Sequence, residues 1–242
     1  MKPGSTSCWQ MDIWGEMAVN GDWRFDGKLS DQINSMSRGQ RHMAAYHALR
    51  RLQAPLLEIE MPSVWGVDRE SVVSLAREGS LRLDGTANER LERLVAEVCS
   101  APGFEFGVDP ELAETFQLEA IAAWQVLSES LGEMRADRTD AIIVRVREMA
   151  FYLDSWMENS FADIDGEEAR EAYLSAIDDD LRDYGLGYFG TRNIEVEHAC
   201  HAEILAMPSE ELFGSPVFRQ LEMACDEYSN QLLTALLTLT TR

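Results

Sequence analysis

Apolar residues along this chain recur every three or four positions and not every second one, the period of a helix face and not of a strand. Between residues 139 and 159 the repeat runs Ile142, Val146, Met149, Leu153 and Trp156. Near the far end Val217, Leu221, Cys225, Tyr228, Leu232, Ala235 and Leu239 form a stripe, and Leu233, Leu236 and Leu237 add a second. Polar punctuation marks the helix ends. Ser37 caps a helix to about Gln53, and Asp68 opens a short one ending near Gly79. Thr86 with Glu89 has the capping-box spacing, in which each side chain satisfies an orphan amide of the first turn, and starts a helix to about Ser100. Asp109 followed by Pro110 begins a long helix that Gly132 ends. Asp165 with Glu168 opens the next, Asn193 begins a shorter helix to Ala206, and Ser215 before Pro216 begins the last, reaching about Leu239.

The pattern predicts an all-α fold, a single-domain bundle of about eight helices with no run of alternating strands and no fixed repeat. The long helices at 110–131 and 139–159 are expected to pack as an antiparallel pair, with Phe116, Ala120, Ala123, Trp124 and Leu127 meeting Val146, Met149, Leu153 and Trp156. Residues 31–242 contain no long polar or Pro/Gly-rich linker and read as one helical domain. Residues 1–30 differ: Trp9, Trp14, Trp23 and Phe25 lie among Gly15, Gly21 and Gly27 without a sustained period. This is an irregular aromatic arm expected to pack on the body through its rings. Within it, Asp26 and Gly27 allow a small hairpin over Trp23–Leu29. A last helix apolar on two sides must be covered on two sides, either by the core or by a second copy in a homodimer, and periodicity does not distinguish the two.

Composition fits this picture: 242 residues at 45% hydrophobic and 26% charged belong to an ordinary globular chain and exclude disorder. No apolar run is long enough to span a membrane, and the start, Gly4 to Ser7 before Trp9, lacks a signal-peptide pattern, so the expected location is cytoplasmic. Cys8, Cys99, Cys200 and Cys225 contain no C-x-x-C pair, which argues against a disulfide scaffold or a zinc ribbon.

Charge changes the picture more. The net charge of −22 is uneven: +1 in residues 1–50, then −3, −6 and −10 in successive fifties, and −4 at the end. Between Asp163 and Asp183 nine acidic residues face only Arg170 and Arg182. Such a surface repels phosphate backbones and anionic lipid, disfavouring nucleic acid and membrane and allowing a basic protein partner. Asp163, Asp165, Glu168, Asp178, Asp179, Asp180 and Asp183 are the candidate partner-binding residues. The plainer reading of the same run is a solvated face that aids solubility.

The best local constellation for chemistry is Glu195, His198 and His201, which fall on neighbouring turns of one helix with Glu197 one turn below His201, and offer a divalent metal imidazole and carboxylate ligands. A helical metal site usually needs further ligands; Glu119 is the candidate from the central helix. The plainer reading is core histidines satisfied by polar neighbours, since Ile194 and Leu205 are expected on the same face. Other patterns fall short. Cys200 and His201 are adjacent, and adjacent helical residues do not face each other as nucleophile and base. Asp179, Asp180 and Asp183 match the spacing of a magnesium-binding D-D-x-x-D, with no second motif downstream. Asp163, Asp165 and Gly166 match only the middle of a calcium loop. Gly185 to Gly190 lacks both the full dinucleotide fingerprint and a P-loop lysine.

Three segments carry a family resemblance: Asp109-Pro110-Glu111 running into Ile121 to Leu127, then Arg147 to Leu153, then Glu210-Glu211-Leu212 followed by Ser215-Pro216-Val217, Leu221 and Glu222. In order and spacing the chain resembles the YjaG-like family of small helical bacterial proteins, whose biochemical function is not known. The resemblance implies a single all-helical domain and no catalytic residue. Two functions follow from the residues. One is a non-catalytic acidic interaction protein that binds a basic partner, as a regulator or an immunity-type inhibitor does. The alternative is a metal-dependent helical enzyme built on Glu195, His198 and His201.

Overall fold

The computed structural model describes residues 27–102, 110–160, 166–175 and 187–240, and every regular element among them is helical. The helices are α1 (Gly27–Ser35), α2 (Arg38–Arg51), α3 (Gln53–Glu58), α4 (Arg69–Gly79), α5 (Glu89–Cys99), α6 (Leu112–Ser130), α7 (Ala136–Ser160), α8 (Glu167–Ser175), α9 (Tyr188–Ala206), α10 (Ser209–Leu212) and α11 (Pro216–Thr240), with a 3-10 turn at Ser63–Trp65. The all-α reading holds, with eleven helices among the described residues in place of about eight. The additions are α1, α3 and α10, too short to carry a periodic signal. Because α1 begins at Gly27, residues 27–29 are helix and not the return strand of a hairpin. Residues 1–26 of the aromatic arm lie outside the described residues.

The centre of the molecule is α2, which contacts α7, α9 and α11 most closely and α6 from another side. Every residue from His42 to Leu49 is buried. Ala44, Ala45 and Ala48 let several helices approach the same axis, so this segment has no single apolar stripe. Its polar residues serve its neighbours. Arg41 donates through Nε to the Ile33 carbonyl (3.1 Å) and through a terminal nitrogen to that of Asn34 (2.9 Å), satisfying the end of α1. Gln40 donates to the Met207 carbonyl (3.2 Å) just past the end of α9. The expected cap is present: Gln40 N–H donates to Ser37 Oγ (3.3 Å) and Ser37 N–H to Gln40 Oε1 (2.8 Å).

The α6–α7 pair forms as expected, burying Phe116, Ala120, Ala123, Trp124, Leu127, Val146, Met149 and Leu153. Trp156 is the exception, 43% exposed. The buried line of α7 advances by four residues, through Val146, Ala150 and Asp154, so Trp156 falls to its side. The α4–α5 hairpin lies on α6, where Gly79 leaves room for the Trp124 indole; a Cβ there would sit 2.3 Å from the ring.

Several starts differ from the sequence reading, among them α7, which begins at Ala136, three residues before the expected position. Thr86 does not cap α5; its hydroxyl donates to Asp84 (2.6 Å), and Asn88 accepts from the amides of Arg90 and Leu91. The helix expected from Asn193 begins five residues earlier, at Tyr188, because its first-turn amides are capped from another helix. Asp109 lies outside the described residues, and α6 starts after Glu111, whose amide donates to Glu114.

Candidate functional site

Where α2, α7, α9 and α11 meet, the core is polar. Arg147 from α7 donates through Nε to Glu197 Oε2 (3.0 Å) and through a terminal nitrogen to the other oxygen of that carboxylate, a two-point pairing that fixes its orientation. Arg51 from α2 donates to the Asn193 backbone carbonyl (3.0 Å) and to its Oδ1 (2.8 Å), and lies 3.8 Å from Glu197. None of these four residues is more than 2% exposed. Burial penalises the Glu197 carboxylate, but Arg147 and Arg51 outweigh it and hold the group below the usual carboxylate range. His201 shares the face of α9 that carries Asn193 and Glu197, and its Nδ1 pairs with Gln32 of α1 (3.2 Å). Burial lowers His201 to about 4 and His47 to about 3, so both are neutral imidazoles at physiological pH. In the same layer the sulfurs of Cys200 on α9 and Cys225 on α11 are 3.9 Å apart.

A second polar hub is Asp154 of α7. It accepts from the amides of Phe189 (2.9 Å) and Gly190 (2.7 Å), the first turn of α9, and from the Tyr173 hydroxyl of α8 (3.2 Å). This carboxylate caps α9 from across the fold, which is why the helix starts before any local capping residue. The approach needs Gly187, where a Cβ would fall 2.2 Å from Asp154 Cγ. Burial pushes the Asp154 carboxyl up to about 6, against the lowering effect of those amides and of Tyr173.

α8 buries none of its residues. Arg170 pairs with Glu158 of α7 and with Glu167 (2.7 Å), and Tyr173 reaches Asp154. Glu167, Glu168 and Glu171 are exposed. Of the acidic residues singled out from the sequence, Glu168 is therefore on the surface, while Asp163, Asp165, Asp178, Asp179, Asp180 and Asp183 lie outside the described residues.

The three candidate metal ligands separate around α9. His201 is enclosed, His198 is half-buried, and Glu195 is exposed in an ion pair with Arg192. Leu205, expected beside the histidines, is 37% exposed, because the buried face runs through Asn193, Val196, Glu197, Cys200, His201 and Ile204. Glu119 pairs with Arg145 of α7. Among the described residues no three His, Cys, Asp or Glu side chains form a group able to hold a metal ion.

The α11 stripe packs within the chain. Leu221, Cys225, Tyr228, Leu232, Ala235 and Leu236 are buried, and the helix contacts α2, α3 and α9, while Met223 and Leu237 stay exposed. No helix among the described residues is long and apolar enough to cross a membrane. No family model, curated protein or solved structure matches this chain.

The sequence reading gave no role to Arg51, Arg147 or Asp154, took Asn193 only as a helix start, and placed Glu197 one turn below His201 as a possible metal ligand and not as a partner of two arginines. A signal existed: Asn193, Glu197 and His201 are spaced by four, a polar line that persists along one helical face. Arg147 is likewise a charge inside the Ile143–Val146–Ala150 stripe of α7.

Proposed function

We propose that the chain is a non-catalytic interaction protein that engages a basic protein partner through its acidic region, from Asp163 to Asp183, as a regulator or an immunity-type inhibitor does. The observation that carries this reading is α8 itself: a helix that contributes nothing to the core and presents Glu167, Glu168 and Glu171 to solvent in the most acidic part of the chain. Inside the fold Glu197 is paired with Arg147 and Arg51 and Asp154 accepts from amides and a hydroxyl, whereas on α8 Arg170 is the one basic residue beside three exposed glutamates. Concentrated negative charge raises the encounter rate with a cationic protein and rejects anionic ones. The metal reading gains no comparable support, since Glu195 is committed to Arg192 at the surface while His201 is inside with Gln32.

The test is affinity capture from host lysate with three proteins: wild type, a variant with Glu167, Glu168, Glu171, Asp178, Asp179, Asp180 and Asp183 changed to the corresponding amides, and a control neutralised at exposed Glu60, Glu89 and Glu92. Wild type and control should retain the same basic protein at low salt, and the seven-site variant should lose it. Equal retention by all three, or no basic protein retained, contradicts the proposal.

A further inference from the structure

The buried contact between Cys200 and Cys225 has no role in the interaction reading. Free thiols of this kind are often small apolar packing residues, but here two of them meet across a helix–helix interface. The sulfurs are 3.9 Å apart, and α9 and α11 are direct neighbours along that contact. A disulfide needs about 2.05 Å between sulfurs, so closing the bond requires the two side chains to turn toward each other across the α9–α11 contact. Cys200 is 3% exposed and Cys225 fully enclosed, so an oxidant small enough to enter the core meets Cys200 first. The contact with Cys225, helped by the Arg51 guanidinium, lowers the Cys200 thiol against burial and the Glu197 carboxylate, whereas burial and Cys200 push the Cys225 thiol well above its ordinary value, which leaves Cys200 as the attacking sulfur.

We propose that Cys200 and Cys225 form a reversible dithiol–disulfide site whose oxidant is a small hydroperoxide. The Cys200 sulfur attacks one oxygen of the hydroperoxide, the O–O bond breaks, and Cys200 becomes a sulfenic acid, while the departing oxygen takes the proton that the Cys200 thiol gave up and leaves as water from hydrogen peroxide or as an alcohol from an organic hydroperoxide. The Cys225 sulfur then attacks Cys200, the S–S bond forms, and the sulfenic oxygen leaves as water with the Cys225 proton. Two thiols are oxidised to one disulfide and one hydroperoxide is reduced. The product ties α9 to α11 over 25 positions of sequence. Because α9 begins at the Asp154 cap that also holds α8, the crosslink stiffens the frame on which the acidic helix is mounted.

The experiment treats the folded full-length chain with hydrogen peroxide, alkylates it after denaturation, and reads the intact mass and the crosslinked peptides. The expected result is a loss of two hydrogens with two fewer alkylations, a peptide pair joining Cys200 to Cys225, and return to the starting mass with dithiothreitol. In C225S, Cys200 should stop at the sulfenic acid and be trapped by dimedone. Four alkylated cysteines after treatment, or a crosslink that instead involves Cys8 or Cys99, overturns the proposal. The wild-type measurement decides the matter even if C225S does not fold.

Discussion

Glu195 and Glu197 sit two residues apart on one helix and have opposite fates. Glu197 is enclosed between two guanidinium groups, whereas Glu195 is an exposed partner of Arg192. Replacing Glu197 with Ala leaves Arg147 without this pairing and Arg51 without its nearest carboxylate in a medium that solvates neither, a loss of about 3–5 kcal/mol. Replacing Glu195 with Ala removes a solvent-screened pair and should change stability by less than about 0.5 kcal/mol. Urea denaturation of both variants checks the contrast, and similar values would mean that the buried pairing is energetically idle. The sequence offered both residues, and the choice of Glu195 came from its spacing to His198 and His201. What separates them is which side of α9 faces the core, and that is decided by α2 and α7, not by the local pattern.

Start signals adjacent in sequence were legible at α2 and α4 and misplaced by two residues at α5, where Asn88 caps and not Thr86. Ser37 with Gln40 caps α2 and Asp68 caps α4 where their spacing places them. α9 was not, because its cap comes from Asp154, in a different helix. Gly187→Ala puts a methyl group into that carboxylate at an ordinary φ of −93°, so the cost is a clash and not backbone strain. The expected loss is about 1–3 kcal/mol, with amide exchange of residues 188–191 accelerating before that of the rest of α9; uniform acceleration along α9 would argue against a capping role. The hub helix α2 was visible as a helix but not as the centre, since its alanines and histidines carry little hydrophobic signal. α8 stands at the other extreme. With no buried residue it should exchange its amides fastest of the helices described, while α2 exchanges only with global unfolding. Hydrogen exchange read by mass spectrometry gives the order directly, and an α8 as protected as α2 would place it in the core.

At the scale of the whole molecule, three buried histidines govern the response to acid. Burial lowers His42 and His201 to about 4 and His47 to about 3, from an ordinary value of 6.5. The unfolded chain therefore takes up protons that the folded chain refuses, so this stability is complete above pH 6.5 and is lost as pH falls toward 4. Asp154 acts in the opposite direction, since a carboxyl raised to about 6 keeps its proton in the folded state and favours folding as pH falls from 6 toward 4. Three imidazoles outweigh one carboxyl. The net loss between pH 6 and pH 4 is of order 5 kcal/mol, comparable with the whole stability of an ordinary domain. Urea midpoints at pH 7, 6, 5 and 4 should decline throughout, and D154N should decline more steeply than wild type. A flat profile would mean that these imidazoles protonate within the folded protein.

The most acidic stretch of the sequence runs from Asp163 to Asp183 and includes the exposed glutamates of α8, and the most direct test of the role proposed for it is kinetic. Association of the captured basic partner with immobilised wild-type protein should slow steeply as sodium chloride rises from 50 to 300 mM, roughly the range over which screening shortens below 10 Å. Neutralising Glu167, Glu168, Glu171, Asp178, Asp179, Asp180 and Asp183 should flatten that dependence and lower the rate at 50 mM by about tenfold or more. A variant with the same salt dependence and rate as wild type would contradict the assignment of the acidic region as the docking surface.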